Sequence, residues 1–192
     1  SEMCIRDSSF TNVVSGETLG LTGSGVLDSP AAGSRTIVNT NTLAISDGSG
    51  IATNYTLTNG TLTMTIVPRS TTVSGTKTYD GTTNVASSNL TSFSNLAGSD
   101  TLSLSGTGTI SSADVGTGKT VNTSGLTIDN SSGVGSNYTL SAATVNVTER
   151  VIGLSGVRAF DGTNNASSAD LSISNIVSGE NLTLSGSGTV PN

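Results

Sequence analysis

The chain has 192 residues, a formal net charge of −6, no histidine and one cysteine, with only 10% charged and 3% aromatic residues. Without a Lys/Arg cluster to release counterions it is not expected to bind nucleic acid, and without histidine both Ser/His/Asp and Cys/His catalysis are excluded. No apolar run approaches the roughly 20 residues a spanning helix needs, so no membrane insertion is expected of this stretch. What remains is rich in Thr, Val, Ser, Gly and Asn. Branched Cβ atoms suit a pleated surface and small polar residues make turns, so the composition is that of a turn-rich, mainly β protein.

In chain order, residues 1–9 match nothing else in the sequence. They read as translated adapter residue, and Cys4 within them supports no inference about redox compartment. From Phe10 onward the chain matches itself at an offset of about 83 residues, the signature of tandem repeats. Residues 10–69 form an incomplete repeat lacking its first strand, 70–150 a complete repeat, and 151–192 the first half of a third. Phe10 and Phe93 correspond, with Ile173 in the same place a third time. Tyr55 and Tyr138 stand in identical Asn-Tyr-Thr-Leu strings that begin at Asn54 and Asn137, while Tyr79-Asp80-Gly81 is repeated as Phe160-Asp161-Gly162. No aromatic residue is left over. Side chains that dominate burial are thus confined to equivalent sites, which assigns them to holding up each repeat.

Period-two alternation marks strands at Thr61 to Ile66, Thr101 to Leu104, Leu126 to Ile128 and Thr144 to Val147, with apolar residues on one face and Thr, Ser or Asn on the other. Gly-rich stretches at 105–108, 116–118 and 129–133 read as breaks between strands, at the spacing of sandwiches and small mixed-β modules. At most one helical turn is expected, near Ser111 to Val115. Val67-Pro68-Arg69 and Thr148-Glu149-Arg150 read as repeat boundaries, with new strands from Val73 and Val151. Links this short predict an elongated string of modules whose partners are the neighbouring repeats of the same chain. The expected core of the complete repeat is Tyr79, Phe93 and Tyr138 with Leu102, Leu104, Val121, Leu126, Ile128 and Val147. Gly81 is expected at positive φ, closing the turn after Asp80.

Lys77 to Thr82, Gly98 to Gly106, Val115 to Lys119, Ser124 to Leu126, Asn137 to Leu140 and the closing Arg150 occur in that order. Together they resemble the YDG domain, found in tandem in large bacterial filamentous-haemagglutinin-like adhesins, and the resemblance covers about Phe10 to Asn192. It implies an extracellular or cell-surface, mostly β, β-grasp-like building block of an adhesin. Phe160 departs from the motif's tyrosine, and Pro30 to Gly33 replaces Ala113 to Gly116.

Other chemistry has thinner support. Asp80, Asp100, Asp114 and Asp129 are oxygen donors of the type calcium takes, but they are dispersed and form no Asp-x-Asp-x-Asp-Gly loop. An internal amide crosslink from Lys77 or Lys119 is disfavoured because Arg158 and Arg35 occupy the equivalent places. Asn-x-Ser/Thr sequons at Asn54, Asn89, Asn122, Asn137 and Asn181 follow from a chain so rich in those residues. The expectation is therefore a non-enzymatic stalk or spacer repeat that needs no cofactor and no metal. Its alternative is a module binding host or surface glycans, which requires an exposed aromatic platform, so the exposure of Tyr55 and Tyr138 separates the two.

Overall fold

The fold is that of a computed structural model of the chain, which describes residues 10–58 and 62–189. The segment carrying Cys4, and Thr61 at the start of one expected strand, lie outside the described residues. The protein is mainly β and its backbone divides into two compact units between Arg69 and Ser70.

The first unit holds β1 (Leu19–Thr22), β2 (Val26–Leu27), β3 (Gly33–Asn39), β4 (Ala44–Asp47) and β5 (Thr63–Ile66). β1 pairs antiparallel with β4, and β3 lies between β2 and β5. Among its described residues the buried side chains are Ile37 and Leu43. Arg35 on β3 donates to the Ala31 and Ala32 carbonyls at 2.7 Å each, closing the loop that replaces Ala113 to Gly116 of the second unit.

All but the first residue of β6 (Arg69–Thr78) belongs to the second unit, where it is followed by β7 (Asn84–Ala86), β8 (Leu90–Ser94), β9 (Leu102–Thr109), β10 (Gly116–Thr120), β11 (Leu126–Asn130) and β12 (Tyr138–Thr148). Four of these form a sheet in the order β10-β12-β6-β8, and the others a second sheet, β11-β9-β7. Ser141 Oγ bonds the Thr71 carbonyl at 2.9 Å and Tyr79 N–H bonds the Thr148 carbonyl at 2.9 Å, so β6 and β12 run in the same direction. The first and last strands of the repeat thus lie side by side and parallel at the middle of an otherwise antiparallel sheet, a β-grasp-like order. No helix covers it. The second sheet supplies Val85, Leu104 and Leu126 to the same core as Val73, Leu90, Ala143, Val145 and Val147, so the module also has the two facing layers of a sandwich.

Beyond β12 come β13 (Gly153–Gly156), β14 (Asn165–Ser167), β15 (Leu171–Ser174) and β16 (Ser187–Thr189), paired as β13-β15 and β14-β16. The pairing repeats along the chain. Leu154 faces Ile173 as Val73 faces Phe93, and Leu21 faces Ile45 as Leu104 faces Ile128. Val26 faces Asn39 as Thr109 faces Asn122.

Several expectations are corrected. Of the expected core, Tyr138, Leu102, Val121 and Val147 are buried, but the central cluster is made of small aliphatic residues, Val73, Val85, Leu90, Ile110, Val121, Ala143, Val145 and Val147, while Tyr79, Phe93, Leu104 and Leu126 pack around it only partly buried and Ile128 is half-buried. Small aliphatic side chains fit the narrow gap between two short sheets, and the rings of Tyr79 and Phe93 are displaced to its rim. Ser105 to Gly108 and Gly116 to Gly118 are parts of β9 and β10 rather than breaks. A Cβ on Gly106 would come within 2.0 Å of the Gly125 carbonyl, and one on Gly108 within 2.4 Å of Val121 Cγ1, so these glycines mark close approach of neighbouring chain. Ser111 to Val115 forms bends, and the single-turn 3-10 segments lie at Ala52–Asn54, Ser87–Asn89, Gly135–Asn137 and Ser168–Asp170. Arg69 lies in β6, so the link after β5 is Val67 and Pro68 alone, and the strand after Arg150 starts at Gly153.

Candidate functional site

The Tyr-Asp-Gly turn follows β6. Asp80 Oδ1 accepts from Thr82 N and Thr82 Oγ1, both at 2.9 Å, and Gly81 takes φ +76, the left-handed conformation that closes an Asx-type turn. Beneath it is Lys77, only 4% exposed, whose Nζ donates to Asp80 Oδ1 at 2.8 Å, the Thr82 carbonyl at 3.0 Å and the Asn84 carbonyl at 2.6 Å. An ammonium has three protons to place, and here all of them find acceptors, which is why it tolerates burial. The neighbouring cation holds the Asp80 carboxyl down to about 2. In the third repeat Asp161 accepts from Thr163 N and Oγ1 at 2.9 Å each, Gly162 also has φ +76, and Arg158 pairs with Asp161 while donating to the Thr163 carbonyl at 2.5 Å. Asp161 is likewise held to about 2, chiefly by Arg158. Two different cations build one turn.

The Asn-Tyr-Thr-Leu strings do a second job. Asn54 and Asn137 each end a 3-10 turn that delivers the next residue into an extended backbone. Tyr138 is 6% exposed, and its hydroxyl accepts from Ala97 N at 3.0 Å and donates to Asp100 Oδ2 at 2.5 Å. Tyr55, half-buried, accepts from Val14 N at 3.2 Å and donates to the Glu17 carboxylate. Each hydroxyl thus fastens a four-residue turn, in which Asp100 N bonds the Ala97 carbonyl at 3.0 Å and Glu17 N the Val14 carbonyl at 3.0 Å. The carboxylate accepting its proton raises the Tyr55 phenol above its ordinary value of 10. Sequence reasoning placed both tyrosines but missed their acidic partners. The available signal was that Glu17 and Asp100 lie the same 38 residues before their tyrosines.

A third recurrence was also missed. Asn12, Asn95 and Asn175 all have positive φ, and each is the third residue of the Phe10, Phe93 or Ile173 string. Asn95 Nδ2 donates to the Ser70 carbonyl at 2.7 Å and Asn175 Nδ2 to the Val151 carbonyl at 2.6 Å, while Arg150 donates from Nε to the Asn175 carbonyl and from its terminal nitrogen to Asn175 Oδ1, both at 2.7 Å. Asparagine is the non-glycine residue best suited to a left-handed turn, so its threefold return was the clue.

Tyr79 and Phe160 differ sharply despite equal positions. Tyr79 is half-buried and its hydroxyl donates to Glu180, whose carboxylate raises the phenol above 10, whereas Phe160 is 97% exposed. Tyr79 lines a cleft of about 520 Å³ with Val115, Ile152, Ile176, Val177 and Leu182. Asp100 and Asp114 are engaged by Tyr138 and Ser112, and among the described residues no three His, Cys, Asp or Glu side chains gather as a metal site would require. Among the described residues no helix is long and apolar enough to cross a membrane.

Residues 61–146 match the model of the YDG domain, so the chain contains a YDG domain over that span. No curated protein and no solved structure matches the chain.

Proposed function

We propose that the chain is a structural stalk or spacer segment of a large secreted or surface-attached bacterial adhesin, of the filamentous-haemagglutinin-like kind in which YDG-type repeats occur in tandem. The observation that carries this reading is the employment of its polar and aromatic groups. Tyr55 and Tyr138, Asp80 and Asp161, Lys77 and Arg158 are all engaged in fastening their own repeats. A spacer needs many such internal clasps and no reactive group, and adhesion then comes from copy number or from a distant tip. Glycan recognition is less well supported, because a sugar platform needs an exposed ring and Tyr138 is buried while Tyr55 is held by Glu17.

Three measurements test it. An antibody raised against the chain is expected to label intact cells of the source bacterium. The immobilised chain is expected to retain no glycan from an array, and to resist extension by stepwise unfolding under force. Glycan retention that is abolished by Tyr55→Ala or Phe160→Ala replaces the spacer with a binding module. Failure to label intact cells removes the surface assignment.

A further inference from the structure

We propose that the Tyr/Phe-Asp-Gly turn is a docking surface whose partner is the next repeat, through the turn that runs from Val177 to Glu180 in this chain. This goes beyond the spacer reading, since it concerns what joins consecutive repeats whatever the protein adheres to. The turn is built identically in both copies, with an Asp accepting from the Thr two residues on and a Gly at φ +76. What differs is the surroundings.

In the complete repeat the Tyr79 hydroxyl donates to Glu180, and a Cβ placed on Gly81 would lie 2.7 Å from Val177 Cγ1 and 4.0 Å from Glu180 Oε1. Val177 therefore packs into the space that glycine leaves open. The same Cβ on Gly162 would meet nothing within 4 Å, and Phe160 is 97% exposed with no side chain placed against its turn as Val177 is against Gly81. One sequence motif is thus seen both docked and undocked. Val115, Ile152, Ile176 and Leu182 line the cleft beside Tyr79, giving the joint an apolar lining, and the Arg150 bonds to Asn175 hold the next repeat alongside. Phenylalanine at position 160 retains the apolar contact but lacks the hydroxyl, so a repeat docking there does so without the carboxylate bond.

The test is residual dipolar couplings on the full chain. Segments 70–150 and 151–189 are expected to share one alignment tensor in the wild type. Gly81→Ala, whose methyl collides with Val177, is expected to split it into two, whereas Gly162→Ala, with the same φ and an empty surrounding, leaves it single. Independent tensors in the wild type, or a single tensor in Gly81→Ala, overturn the proposal. Tyr79→Phe and Glu180→Gln leave φ untouched and carry the test should Gly81→Ala unfold the repeat. Glu180→Gln is expected to lower the Tyr79 ionisation pH and shift its ring resonances, and unchanged Tyr79 signals overturn the joint.

Discussion

Lys77 is a charged side chain where a strand pattern places an apolar one. It stands on the inward face of β6 with Thr71 and Val73, and it is retained because Asp80, Thr82 and Asn84 offer it acceptors. Lys77→Met removes the donor while leaving the Thr82 and Asn84 carbonyls in place, so it is expected to cost about 2 kcal/mol in urea unfolding of the second unit. Lys77→Arg should cost less, because Arg158 builds the same turn in the third repeat. A loss as large for arginine as for methionine shows that shape, not the donor, governs the site. The pair also sets an acid limit. Asp80 is lowered from 3.8 to about 2 when folded, so its contribution is fully present above the unfolded value near 4 and is lost as pH falls through 2. With the carboxylate 47% exposed, solvent screening reduces the contribution to about 1 kcal/mol. Asp80→Asn is expected to flatten stability between pH 4 and 2, and an unchanged slope there rejects the linkage.

At the scale of elements, a tyrosine at the start of β12 fixes a turn 41 residues earlier. Tyr138→Phe keeps the ring but leaves the Ala97 N–H without its acceptor and Asp100 without its donor, an expected loss of about 1 to 2 kcal/mol. Tyr138→Ala adds a cavity and should cost about 3 kcal/mol. Equal losses for the two show that the bond contributes nothing beyond the ring. The period-two rows at Leu102 and Leu104, at Leu126 and Ile128 and at Val145 and Val147 made β9, β11 and β12 legible in the sequence, since each strand has one wet face. A strand from Val73 was legible, but the extent of β6 was obscured because its inward face also carries Thr71, Gly75 and Lys77, and a polar residue such as Thr71, satisfied by Ser94 distant in the chain, has no local signature. Glycines in β9 and β10 misled for a related reason. Their absent side chains answer to chain segments that pattern reading does not bring together, such as Gly125 against Gly106. Turn chemistry read well at Gly81, where Asp-Gly-Thr contains all the local partners. The Tyr138–Asp100 bond and the Arg150–Asn175 bonds did not, because each joins residues far apart in sequence.

Over the whole molecule, stability should follow the distribution of buried apolar side chains. The complete repeat concentrates Val73, Val85, Leu90, Ile110, Val121, Ala143, Val145 and Val147 in one cluster, the first unit buries Ile37 and Leu43, and Val151, Leu154, Val157 and Phe160 of the third repeat remain exposed. Burial at about 25 cal/mol per Å² is the main source of protection, so hydrogen exchange is expected to be slowest in β6, β8 and β12, faster in β1 and β3, and fastest in β13 to β16. Calorimetry should accordingly show more than one transition, with Tyr138→Ala lowering only the one that belongs to the complete repeat. The docked turn adds a dependence within this order. β13 and β15 contribute no buried residue of their own, so whatever protection they show above that of exposed loops is lent through Val177, Glu180 and the Arg150 bonds, and Gly81→Ala should remove it without slowing or hastening exchange in β1 and β3. Exchange in β13 and β15 as slow as in β6 would mean that 151–189 folds on an independent core, and the strands would then have to be reassigned to a differently bounded module.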